Sequence, residues 1–338
     1  MIVETVSNFL GFPVQNDDEY YGWVWWLCQA AFVCVNLRVC LALWWRKNSD
    51  PDHLTETMKF CATVYCLVCS YRAIFFKNDV ERHCWFPTWV SCTVVGRTLA
   101  TCAEMCYITM FKLAFTSISK ELESLGRGNP TYHRIIQRFA GASWWILFFA
   151  QCCCWRCVTT GFKLWSALEE SLWTIVFGLF GLAAVYLRSL LNSSETATRQ
   201  TSGALNLFIP ASVMFVIYMV TTDVPMYINQ TYQDIANGRK FLSFTEGFMT
   251  GLSCASDSRK WSDWMMEAQW QTPYFTVIVF GALMMAWFPQ IFQPAKMLRA
   301  EYFFYSKISL EAHKKMMRLK KIIKDSADLG KKSLPYVV

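Results

Sequence analysis

The chain has 338 residues, of which 54% are hydrophobic, 17% aromatic and only 17% charged, where soluble domains carry nearer a quarter charged residues. Its net charge of +7 sits entirely in the last stretch, because 296–338 holds eleven basic against four acidic residues and the remainder sums to zero. This balance leaves no room for a separate soluble domain and gives no reason to expect nucleic acid as a partner.

The first 22 residues are acidic, with Glu4, Asp17, Asp18 and Glu19 and no Lys or Arg. That makes a poor signal peptide, so insertion is expected to rely on the first span itself. Seven apolar stretches follow, at 23–45, 54–76, 89–115, 139–159, 165–187, 204–222 and 273–292. A helix crosses the hydrocarbon in about 20 residues at 1.5 Å rise, and each stretch approaches or exceeds that length. The runs are apolar on every side, which suits helices among lipid and other helices. The fold class expected is all-α, a polytopic bundle of about seven transmembrane helices over 23–293.

Orientation follows from charge. The basic tail and the loops carrying Arg46, Lys47, Lys120, Arg127, Arg134, Arg138, Arg188 and Arg199 belong on the side that retains positive charge. The N-terminus is then outside and the C-terminus inside. Tyr20, Tyr21, Trp23, Trp25 and Trp26 mark the outer edge of the first span, and Trp44 and Trp45 its inner edge. Between the sixth and seventh spans, 223–272 reads as an interfacial segment. Its Trp261, Trp264, Met265 and Trp270 are spaced for a helix lying along the membrane.

Fifteen cysteines look like a redox signature until they are placed. Thirteen fall in the apolar runs, where Cys serves as a small hydrophobe that lets helices approach. Cys84 and Cys254 alone fall in connecting segments, both on the outer side, so a disulfide between them is open in an oxidising compartment. Asn229 begins an outer glycosylation sequon, and Asn192 one on the inner side.

Charges within the spans are the functional pointers, each costing on the order of 3 kcal/mol near the centre of a span. The third span carries Arg97, Thr101 and Glu104 on nearly one helical face, since seven residues make two turns. Arg38 in the first span reaches a depth similar to Glu104, so a pair between them is expected if those helices are neighbours. Arg72, Arg97 and Asp223 are companions around an outer cavity in this reading. The bland alternative is that the same charges only hold helices together.

The tail, 294–338, repeats Ile308, Ala312, Met316, Leu319 and Ile323 at spacings of three and four. This predicts a basic amphipathic helix over 310–324 with Lys314, Lys315, Arg318, Lys320, Lys321 and Lys324 around the stripe. Such a helix suits anionic headgroups or a partner groove.

No catalytic residue or metal ligand set is legible. The four histidines lie outside the apolar runs or at their entrances, which argues against a membrane haem or a di-iron site. The seventh run has no lysine for a retinal Schiff base. The functions left are a channel or transporter, favoured here, an accessory or scaffolding subunit of a membrane complex, and then a receptor or membrane enzyme. Membrane lipids are the expected partners, with other membrane subunits or further copies of this chain open.

Overall fold

The computed structural model describes residues 2–45, 53–191 and 196–287. Helices dominate: α1 (Ile2–Phe9), α2 (Asp17–Trp45), α3 (His53–Ile74), α4 (Thr93–Ser124), α5 (Pro130–Thr160), α6 (Leu164–Leu190), α7 (Thr196–Tyr218), α8 (Val224–Ala236), α9 (Phe244–Thr250), α10 (Trp261–Pro273) and α11 (Val279–Trp287). Among the described residues three helical runs are long and apolar enough to cross a membrane, Asp17–Trp45, Leu164–Leu190 and Thr201–Ala236. They point to an integral membrane protein. Helices α3, α4 and α5 have the length to do so, with 22, 32 and 31 residues. Their polar and charged residues, Arg97 and Glu104 among them, make them less apolar.

Each long helix packs mainly on its neighbour in sequence. The series runs α2, α3, α4, α5, α6, α7, and α11 closes against α2 and α3. Helix α4 shows why: Gly96, Arg97, Ala100, Ala103, Glu104, Phe111, Phe115, Ile118 and Leu122 are buried along one stripe. Small residues in its N-terminal half let α3 and α5 come close.

Several helix limits differ from the hydropathy reading. Helix α2 starts six residues early, at Asp17, because Asn16 and Glu19 cap it. The Glu19 amide donates to Asn16 Oδ1 at 3.0 Å and the Gln15 amide to Glu19 Oε2 at 2.8 Å. The expected inner loop 116–138 shrinks to five residues between α4 and α5. There the Asn129 side chain accepts from the Thr131 amide at 2.8 Å, and Pro130 takes the first helical position.

The interfacial segment 223–272 is not one element lying along the membrane. Helix α7 passes through a π-turn at Met219–Asp223 straight into α8, and this run outlasts the expected end at residue 222. The Trp-rich part, α10, likewise runs through a π-turn at Tyr274–Ile278 into α11. Trp264 is fully buried against Phe76, Trp85 and His83. The Trp spacing that suggested a lipid-facing stripe instead packs α10 on α2, where Trp25 and Gln29 both donate to Thr272 Oγ1 at 3.1 and 2.7 Å. The expected tail helix, with Lys314, Lys315, Arg318, Lys320, Lys321 and Lys324, lies outside the described residues, as does Asn192.

A small cap closes one end of the bundle. Strands β1 (Lys77–Asn78), β2 (His83–Cys84) and β3 (Ser256–Asp257) form a sheet in that order. Cys84 and Cys254 are joined by a disulfide with Cα atoms 5.9 Å apart. Arg239 grips Glu81 with both terminal nitrogens at 3.0 Å, and Lys163 reaches Glu81 and Asp234 at 3.4 and 3.3 Å. Burial works to raise the Glu81 carboxyl, and the Arg239 and Lys163 charges outweigh it and hold it below its ordinary value.

Helix α9 is seated by Gly247, where a Cβ would stand 1.7 Å from the Thr159 carbonyl oxygen at the end of α5. Backbone cannot yield to that atom, so Gly247→Ala is expected to lift α9 off α5 at a cost of about 1–3 kcal/mol. Thermal unfolding of the detergent-solubilised variant checks this; an unchanged midpoint contradicts the close seat.

Candidate functional site

The polar interior is built on one face of α4. Arg97 Nη2 donates to Glu104 Oε1 at 2.9 Å and to Gln151 Oε1 on α5 at 2.7 Å. The Gln151 amide returns a bond to Glu104 Oε2 at 2.5 Å. Thr101, between the two charges, donates to Gln151 Oε1 at 3.3 Å and accepts from Trp155 Nε1 at 3.1 Å. All three principal members are buried, with exposures of 5%, 7% and 1% for Arg97, Glu104 and Gln151. The carboxylate and the amide satisfy one another through the guanidinium, a closed triangle that neutralises both charges.

Arg72 lies beside this triangle on α3. It pairs with Asp79 at 3.1 Å, rests 5.5 Å from the Phe275 ring centroid and feels the charges of Arg97 and Glu104. Its acid is therefore Asp79, seven residues downstream, and not Asp223. Asp223, in the π-turn between α7 and α8, instead neighbours Glu170 on α6.

Arg38 does not join the network. Beyond Gly22, the buried positions of α2 are Trp23, Trp26, Gln29, Val33, Asn36, Cys40 and Leu43, recurring every three or four residues. Position 38 falls opposite that stripe, and Arg38 is exposed. Asn36 occupies the inward face and donates to the Phe275 carbonyl at 3.3 Å. The expected pair of Arg38 with Glu104 is accordingly replaced by an ion pair within α4.

Three carboxylates complete the interior. Glu169 is buried on α6 and takes a hydrogen bond from the Cys154 thiol. Glu170, next to it, feels the charges of Glu169, Asp223 and Glu104. Neither the Glu170 carboxylate nor Asp223, which is 7% exposed, has a hydrogen-bond or ion-pair partner among the described residues. Glu169, Glu170 and Gln151 were open to the same test that singled out Arg97, since each is a polar group inside an apolar run. Asp79 was hidden because it sits in a connecting loop.

The other expected residues are dispersed. Cys84 and Cys254 belong to the cap, and Asn229 is exposed on α8. His133 is fully buried at the entrance of α5, with Nδ1 facing Ser119 Oγ at 3.1 Å and Nε2 facing the Arg127 carbonyl at 2.8 Å. It pins the α4–α5 turn. Among the described residues no group of three or more His, Cys, Asp or Glu is arranged to hold a metal ion.

At the cap, Lys77 is buried beneath α4, its Nζ bonded to the carbonyls of Ser91 and Cys92 at 3.4 and 2.8 Å. Gly96 makes room for it, since a Cβ there would stand 1.6 Å from Nζ. Burial pushes the ammonium down to about 8, with Asp79 offsetting part of the effect. Between pH 8 and the ordinary lysine value the unfolded chain then holds more protons than the folded one. This group's contribution to stability therefore rises with pH across that window and is flat below it. Subtracting the pH profile of a Lys77→Met variant from that of the unaltered protein is expected to leave a rise between pH 8 and 10. A flat difference means that Lys77 is solvated.

Compared with known protein families, curated proteins and solved structures, the chain matches none.

Proposed function

We propose that the chain is a seven-span membrane protein, N-terminus outside and C-terminus inside, that conducts or transports a cation across the membrane. The observation that carries this reading is the imbalance of charge between α5, α6 and the α7–α8 junction. Arg97 and Arg72 each have a carboxylate of their own. Glu169, Glu170 and Asp223 are left with no basic ion-pair partner among the described residues. Uncompensated carboxylates inside a bilayer cost several kcal/mol and mark ion and proton routes. The π-turn that presents Asp223 supports the same reading, because such turns recur at functional positions in helices.

A second reading, an accessory or scaffolding subunit of a membrane complex, is favoured by the Arg97–Glu104–Gln151 triangle. It is closed by its own members and needs no solute. The two readings part on transport. In liposomes holding the purified protein, flux of monovalent cations above empty vesicles is expected, with chloride excluded and at least a tenfold loss in Glu170→Gln. Absence of cation flux, or equal flux in the variant, removes the transport reading and leaves the subunit.

A further inference from the structure

Helix α5 turns a basic and aromatic face away from the bundle. Its buried residues, His133, Ala140, Leu147 and Cys154 among them, repeat every seven positions and pack on α4 and α6. The opposite face carries Arg134, Ile135, Arg138, Trp145, Phe149 and Cys152, all of them exposed. Across its 31 residues α5 holds no Asp or Glu. Arg134 spends only its Nε, on the Pro130 carbonyl at 3.4 Å, and Arg138 has no hydrogen bond or ion pair among the described residues. Glu123, an acid that α4 brings to this end of α5, is bonded by Gln137 at 3.0 Å. Arg156, at the other end of the helix, rests on the Trp165 ring, 5.7 Å from its centroid. A guanidinium stays charged at any ordinary pH, so Arg134 and Arg138 are two cations one turn apart whose terminal nitrogens meet no anion among the described residues.

We propose that this face binds an anionic phospholipid, its phosphate between Arg134 and Arg138 and one acyl chain along Trp145, Phe149 and Cys152. The proposal rests on the membrane placement above, but neither on conduction nor on the direction of the chain. Charge complementarity selects the head. Residues four apart on a helix lie on the order of 6 Å apart, close enough for two guanidiniums to share one phosphate, with parallel N–H donors that match its oxygens. A choline beside that phosphate is repelled by the same pair, and each basic residue near an anionic surface strengthens binding roughly fivefold. Trp145 fixes the depth. It lies seven residues further on, about 10 Å along the axis, where an indole meets the ester groups once the arginines reach toward the headgroups. Its ring is 68% exposed and is braced edge-on by Trp144 and Phe148, with centroids 4.8 and 6.2 Å away. Its N–H has no acceptor among the described residues, which leaves it to donate to a lipid carbonyl. From Trp145 onward the face is apolar, as an acyl chain requires.

Photoaffinity labelling of the full chain in phosphatidylcholine nanodiscs tests this. Phosphatidylglycerol bearing a diazirine at the headgroup or in mid-chain is doped into the discs, with matching phosphatidylcholine probes as the reference. Adducts are mapped by peptide mass spectrometry. Headgroup adducts are expected on 131–138 and chain adducts on 145–152, each at least fivefold above the reference. The double variant Arg134→Gln with Arg138→Gln should fall to the reference level, while Arg156→Gln on the same helix should leave the yield unchanged. Both replaced arginines are exposed, so gel filtration is expected to show a folded protein. The comparison of probes on the unaltered chain decides the matter even if that variant aggregates. Equal yields from the two lipids, or an unchanged yield in the folded double variant, overturns the proposal. So does full competition by excess inorganic phosphate, which would assign the arginines to the free ion, and so does labelling spread evenly along α5, which marks bulk lipid. Absent flux with this labelling intact sinks only the transport reading, and absent labelling with flux intact sinks only this one.

Discussion

Replacing Arg97 by leucine is expected to be the most damaging single substitution in the bundle. Among the described residues the guanidinium is the only cation bonded to Glu104, and it also holds the Gln151 oxygen. Without it the buried carboxylate keeps one amide donor, Gln151 Nε2, and has no compensating positive charge. Removing one partner of a buried pair costs on the order of 3–5 kcal/mol, and protonation of Glu104 returns part of that. Glu104→Gln should be milder, because an amide accepts from Arg97 in the same position. The double variant Arg97→Leu with Glu104→Leu should recover most of the loss, since two apolar groups leave no charge behind. The check is a double-mutant cycle on thermal unfolding in detergent, read as the fraction surviving gel filtration. An Arg97→Leu protein as stable as the parent shows that the triangle contributes nothing to the fold.

How far this triangle was legible in the chain shows what periodicity can and cannot supply. The spacing of seven put Arg97 and Glu104 on one face of one helix, because two helical turns take about seven residues. Nothing in the sequence said which way α2 faces. A helix apolar on every side has no direction to read, so the reading that put Arg38 inward had no support from periodicity, and packing turned Asn36 inward instead. Composition also misjudged ends. The apolar runs stop at 222 and resume at 273, yet π-turns at Met219–Asp223 and Tyr274–Ile278 carry both helices across those limits. Amphipathic Trp spacing is ambiguous for a simpler reason: a stripe that suits the lipid interface equally suits a protein neighbour, and Trp264 found one. Glu169 and Glu170 were visible as charges but lay close to the start of their run, where a carboxylate reads as interfacial. The contacts of α6 with α5, α7 and α8 bury Glu169 and hold Glu170 beside it.

The cap yields the second large effect. The disulfide between Cys84 and Cys254 spans 170 residues of sequence and joins the β1–β2 hairpin to the segment before α10. Chain-entropy reasoning assigns such a closure on the order of 5 kcal/mol. That figure is an upper bound for a membrane chain, because helices retained in the bilayer already confine the unfolded state. The ion pairs of Glu81 with Arg239 and Lys163 hold the same cap without the bridge, and they are partly exposed, so they replace little of its contribution. Cys84→Ser is therefore expected to lower the unfolding midpoint markedly under non-reducing conditions and to change nothing once reductant is present. The bond itself can be read without unfolding. Gly126, in the α4–α5 turn, has open space around it, and a protease site inserted there cuts the chain between the two cysteines. A single band on a non-reducing gel, resolving into two on reduction, is the expected result. Two fragments under both conditions would mean that the thiols are free. Because such bonds persist in oxidising compartments, that outcome would withdraw the bridge's support for the outward placement of the cap and leave the orientation resting on the bias of Lys and Arg alone.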